Sequence, residues 1–227
     1  MPKKGEIITK KNKKKILLII LAIVLIIIIL LAIHTIRNFT IIKELQKNIE
    51  PYVSSTNYHI KSVATEESGT IVTINYYKKD GKEVMIMERN LNGEISKIST
   101  YVTDKRTDTF YETKDSKTVE LDSEAMLSIN VYNSLETEND WQTFFGSILT
   151  SVKKTDYNGK ECYIVNNFLS PQFLGGSTND EVYVEKDTGL CVKATMNGTV
   201  TEREYEFNNV SDEIFIEPNI GEYDIRE

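Results

Sequence analysis

Few residues in this 227-residue chain are of types that do chemistry, and their spacing limits what that chemistry is. Cys162 and Cys191 are the two cysteines. On the oxidising side of a membrane such a pair forms a disulfide. In a simple meander, however, they would lie two strands apart, about 9–10 Å, beyond the reach of about 7 Å between bridged Cα atoms. The loop from Asn167 to Asn179 is long enough to change the strand order, so a bridge and two buried thiols both stay open. His34 and His59 have no Cys or His at ligand spacing, and no metal site is expected. Neither a Gly-x-Ser-x-Gly elbow, a phosphate loop nor a His-Glu-x-x-His helix occurs. Carboxylates such as Glu181 and Glu185 are dense enough to pair by chance. We therefore expect no catalytic residue, no cofactor and no enzyme.

The remaining chemistry is apolar. Trp141, Phe144, Phe145, Ile148 and Val152 recur at the spacing of one helix face, with Asn139 or Asp140 available as the cap. Such a face either plugs the core of a sheet or lines an apolar cavity, and on the second reading Trp141, Phe144, Phe145 and Ile148 are the ligand-binding candidates.

The segment that must place these residues is Ile16 to Ile33, ILLIILAIVLIIIILLAI, 18 consecutive Ile, Leu, Val and Ala residues. As a helix it rises about 27 Å, and the run through Ile36 brings it near a hydrocarbon core of about 30 Å. Seven lysines and one glutamate precede it, whereas Arg37, Lys43, Lys47 and two glutamates follow before Pro51. The positive-inside rule then gives residues 1–15 as a cytoplasmic basic tail, 16–36 as a transmembrane helix and 37–227 as an extracytoplasmic domain. A cleaved signal peptide is the alternative, disfavoured by the length of the apolar run and the lack of an Ala-x-Ala-like site. The run Ile16–Ile33 carries no polar residue and no Gly-x-x-x-Gly face, as suits a single-pass anchor. Beyond Lys15 the chain has 20 basic and 33 acidic residues, a net charge of −13, which argues against nucleic acid as a partner.

Ile41, Ile42, Leu45 and Ile49 form the apolar face of a short helix continuing from the anchor, and Pro51 marks its expected end. From Tyr58 the pattern is strands broken by Asp80-Gly81, Asn92-Gly93, Asn158-Gly159, Asp187-Thr188-Gly189 and Asn197-Gly198. These turns supply the positive φ angles of hairpins, and their spacing leaves no room for helical crossovers, so the sheet is antiparallel. The tail, with Ile214 and Ile216 alternating around Phe215, reads as an extended closing segment.

An amphipathic helix, hairpins, an inserted helix and a second hairpin set ending in EVYVEKDTGLCVKATM and EYEFNNVSDEIFIEPNIGEYDI resemble the LolA-like half-barrel superfamily, over about Phe39 to Arg226. The resemblance implies an α+β fold: a strongly curved antiparallel sheet, a half-barrel, packed on helices around an apolar cavity that holds acyl chains. It also implies a cell-envelope role as a lipid or lipoprotein-ligand module. A tethered chain departs from the soluble carriers, which shuttle. The expectation is an anchored module binding a lipid or acyl chain; the alternative is an envelope interaction domain with a filled core and a protein partner.

Overall fold

The computed structural model describes residues 4–103, 106–124, 140–167, 181–196 and 198–226. The loop 168–180, the segment 125–139 with the cap candidate Asn139, and Asn197 lie outside the described residues. One helix, α1 (Lys4–Val53), is long and apolar enough at Ile16–Ile33 to cross a membrane, and every residue from Ile16 to Ile33 is exposed. Burial begins at Thr35, inside the expected span, and includes Asn38, Ile42, Leu45 and Ile49. The helix passes Pro51 by two residues, because Tyr52 packs on Phe207 with ring centroids 4.8 Å apart and Val53 joins the same cluster.

After α1 come β1 (Asn57–Thr65), β2 (Ile71–Lys79), β3 (Lys82–Leu91), β4 (Glu94–Val102), β5 (Thr107–Glu112) and β6 (Lys117–Glu120). Helix α2 (Asp140–Leu149) leads into β7 (Thr150–Tyr157), β8 (Lys160–Asn167), β9 (Glu181–Glu185), β10 (Cys191–Met196) and β11 (Thr199–Phe207), and a short β12 (Asp224–Ile225) ends the chain. The two-residue turns form as their sequence dictates: Asp80-Gly81, Asn92-Gly93 and Asn158-Gly159 each have φ between +50° and +90° at both positions.

All 12 strands form one curved, unclosed sheet in the order β12-β6-β5-β4-β3-β2-β1-β11-β10-β9-β8-β7. The two hairpin sets are joined by β1 pairing with β11. Among the described strands, β12 and β6 are the one parallel pair. Two cores lie on opposite faces of this sheet. Ile42, Leu45 and Ile49 of α1 pack on Val184, Val182, Tyr58 and Ile60, each fully buried aliphatic side chain contributing about 1.5–3 kcal/mol. Tyr76 and Met85 belong to that side, whereas their chain neighbours Tyr77, Val84 and Ile86 join Tyr101, Phe110 and Val119 beneath the tail.

The tail departs from the expected extended form. Asp212–Phe215 is a single 3-10 turn because Ser211 caps it, its hydroxyl accepting from the Glu213 N–H. Ile214 and Phe215 then face the core while Ile216 is 70% exposed. Ion pairs from Lys79 to Asp212 (2.8 Å) and from Arg106 to Glu217 (2.6 Å) hold the segment in place.

Cys162 and Cys191 are buried and form no disulfide, with β9 between their strands. Strands β8, β9 and β10 stand in meander order, so the two cysteines lie on strands that are not neighbours. Burial pushes both thiols above their ordinary pKa, with Glu185 and Asp156 adding to the effect at Cys162. Thiol titration of unreduced protein is expected to count two thiols after denaturation and almost none within minutes on the folded protein at pH 8; a count of zero after denaturation would contradict this strand order.

Helix and sheet come into tight contact at Gly189. A Cβ there would lie 2.3 Å from the Leu45 carbonyl oxygen, and φ is +69°. Gly159 has φ +76° and open space. Gly159→Ala should cost about 1–2 kcal/mol from the left-handed backbone alone. Gly189→Ala should cost about 3 kcal/mol or more, since backbone must also be displaced. Denaturant unfolding of a soluble form beginning at His34 checks the difference; equal costs would contradict the helix-on-turn contact.

Candidate functional site

Helix α2 turns its polar face inward. Thr143 and Ser147 are buried, as is Thr150 just beyond the helix, and the hydroxyls of Ser147 and Thr150 donate to the carbonyls of Thr143 (2.6 Å) and Gly146 (2.8 Å). These small side chains let α2 approach α1 closely, and Asn38, wholly buried, donates through Nδ2 to the carbonyls of Thr150 (2.6 Å) and, more weakly, Ser147 (3.4 Å). One α1 side chain thus satisfies carbonyls that the end of α2 leaves unpaired. Lys43 bridges to Asp140 at 2.8 Å at the other end, and Phe39 meets Phe144 edge-on at 5.7 Å.

The aromatic face therefore points away from the core. Trp141 is 72% exposed and Phe145 60%, while Phe144 and Ile148 are half-buried. Trp141 and Phe145, two of the four residues expected to plug the core or line an apolar cavity, thus face outward, and Thr143, Ser147 and Thr150 take the buried position. None of the four residues lines either cavity described below.

A cavity forms elsewhere, from an irregularity of pairing. The register of β10 on β9 shifts between Cys191 and Lys193, and the β10–β11 ladder runs only from Lys193↔Glu202 to Met196↔Thr199. Beyond it β11 continues on β1 alone, as far as Tyr58↔Phe207. The strands part, and a cavity of about 460 Å³ opens there, with Tyr52, Leu190, Val192, Tyr205 and Phe207 as its apolar side and Lys160, Glu185, Arg203 and Glu204 as its charged side. The Tyr205 hydroxyl donates to the Cys191 carbonyl at 2.8 Å, bridging the strands where they separate. Its ring lies parallel to Phe207 at 6.4 Å. Burial raises the Tyr205 hydroxyl far above its ordinary value, so it stays protonated as a donor.

Arg203 is the informative residue. It is half-buried, its Nε is buried without a hydrogen-bond partner, and no carboxylate lies within ion-pair distance of it among the described residues. Its neighbours are engaged elsewhere, Glu202 with the Tyr157 hydroxyl and Glu204 with Lys61. A guanidinium held in apolar surroundings is a ready partner for a planar carboxylate or a phosphate. A sequence signal for it exists: in TEREYEF the positions of Glu202, Glu204 and Glu206 alternate with Arg203, Tyr205 and Phe207, which places a cation on the apolar face of the strand.

A larger groove, about 850 Å³, lies between the β3–β4 and β5–β6 turns, where Glu88, Arg89, Glu94, Lys97, Glu112 and Lys114 line it with charges of both signs. His59 lies on the opposite sheet face from α1, stacked on Tyr77 at 4.3 Å and 3.1 Å from the Asn75 side chain; His34 meets Asn38 at 3.0 Å. Both are structural contacts.

No protein-family model matches the chain, and no curated protein matches it. Two solved structures are similar in outline. An uncharacterized conserved protein from Thermus thermophilus is 11% identical with a TM-score of 0.45, over 81% of this chain and 98% of that one. A DUF1329 family protein from Desulfovibrio piger is 14% identical with a TM-score of 0.30, over 81% of this chain and 97% of that one. The functional reading therefore rests on the geometry of this chain.

Proposed function

We propose that this protein is a membrane-anchored, extracytoplasmic binding module, not an enzyme, that holds a lipid or acyl chain with an acidic head in the parting of β10 and β11. The observation that carries this reading is Arg203, a guanidinium with no ion-paired carboxylate among the described residues, in a cavity whose apolar side is Tyr52, Leu190, Val192 and Phe207 and whose other side carries Lys160, Glu185 and Glu204. At about 460 Å³ the cavity falls in the usual ligand range of about 300–1,000 Å³. Each methylene moved from water onto Tyr52, Leu190, Val192 and Phe207 contributes about 0.8 kcal/mol, and the head meets Arg203. The apolar run of α1 keeps this site close to a supply of such ligands, with the lysine-rich N-terminus on the cytoplasmic side.

A second reading has its own support. Helix α1 packs directly on the sheet through Ile42, Leu45 and Ile49, and a domain with its main concavity so filled serves equally as an envelope interaction domain meeting a protein partner. Fatty-acid displacement of a fluorescent analogue separates the two. Binding by the native protein, weakened about 10- to 100-fold in Arg203→Gln through loss of a charge-assisted contact of about 1.5–3 kcal/mol, is the expected result. An uncharged methyl ester should bind both forms alike. A native protein that binds no fatty acid would leave only the interaction-domain reading.

A further inference from the structure

Trp141, Phe145 and Leu149 stand four residues apart on α2 and form one exposed stripe, 72%, 60% and 42% accessible, with the two rings stacked at 6.2 Å. An exposed apolar patch fixed on a rigid element marks a contact surface. Its place on the molecule identifies the contact. The helix is clamped to α1 by Asn38 at its C-terminal end and by Lys43 at its N-terminal end. Counted from Ile36, where the apolar run of α1 ends, these residues lie about 3 Å and about 10 Å along the axis. The head-group layer of a bilayer is about 5–8 Å deep on each side. Leu149 and Phe145 therefore fall at head-group depth and Trp141 at its outer edge, the level at which Trp is enriched in membrane proteins. Ile33 and Ile36, at the end of the apolar run of α1, are exposed, as is the following Arg37, a cation at the level of lipid phosphate.

We infer that the Trp141–Phe145–Leu149 stripe of α2 is a second membrane contact, seating the folded domain on the outer leaflet beside its anchor. The inference rests on the membrane-anchor reading of α1. With the stripe in the interface and α2 fixed to α1 through buried Asn38, the domain is held in one orientation to the bilayer.

Trp141 is the sole tryptophan, so its fluorescence reports on the stripe directly. The full chain is placed in phosphatidylcholine nanodiscs with or without lipid bearing a nitroxide on its head group. The expected result is that the head-group nitroxide quenches at least half of the Trp141 emission, whereas aqueous acrylamide quenches it weakly. In Trp141→Phe/Phe145→Trp and Trp141→Phe/Leu149→Trp double variants, a nitroxide high on the acyl chain should quench progressively more strongly, following the depth order. Emission quenched by acrylamide and untouched by lipid would show the stripe facing water, and emission quenched by neither would show it covered by protein; each overturns the inference. Alkaline carbonate extraction tells this failure from that of the anchor reading. A chain that stays with the membrane but keeps an unquenched Trp141 loses only the seating, whereas a chain released by carbonate loses the anchor and the seating with it.

Discussion

One packing contact governs this molecule: the seating of α1 on the inner face of the sheet. The same uninterrupted helix is exposed and apolar over Ile16–Ile33 and buried at Ile42, Leu45 and Ile49, so the element that offers itself to a membrane is also the core of the domain. Gly189 allows the β9–β10 turn to lie against the Leu45 carbonyl, and Asn48 ties that turn down by donating to the Lys186 carbonyl at 2.7 Å. The cavity opens beside this turn, which lends it Thr188 and Leu190.

The curved sheet needs a second cover because it is too wide for one helix. The C-terminal tail supplies it on the other face of the β2–β6 wing, where Ile214, Phe215, Ile220 and Tyr223 close over Val84, Phe110 and Val119. Phe110 meets Tyr223 edge-on at 5.1 Å, and β12 adds itself beside β6, protecting that edge from pairing with another chain. Each wing thus carries its own core, and β1 paired with β11 joins them.

Much of this was legible in the residues. The Asn-Gly and Asp-Gly pairs place the hairpins because the backbone they require is available to few other residues, and the 3.6-residue spacing of Ile42, Leu45 and Ile49 gives the buried face of α1. Three features were not legible, for separable reasons. The orientation of α2 escapes a rule that buries the apolar face, since Thr143, Ser147 and Thr150 are small enough for close helix packing and the hydroxyls of Ser147 and Thr150 are satisfied by carbonyls one turn back. The tail turn is set by a local bond to Ser211 that competes with the extended form. The cavity arises from a register shift at Cys191, which is a property of how strands pair and has no signature in the spacing of side chains. The alternation in TEREYEF puts Arg203 on the same strand face as Tyr205 and Phe207, but its lack of an ion-paired carboxylate among the described residues is a tertiary fact.

The proposed module for an acidic amphiphile rests on an apolar helix long enough to span a membrane, a cavity with one apolar side and a guanidinium that has no ion-paired carboxylate among the described residues. Native mass spectrometry of the domain from His34 onward, which retains buried Thr35 and Asn38, purified without detergent from its export compartment, tests this most directly. The predicted result is a population heavier than the bare chain by the mass of one fatty acid or phospholipid, lost in Arg203→Gln. A single species at the mass of the chain, unchanged after incubation with fatty acid, would contradict it.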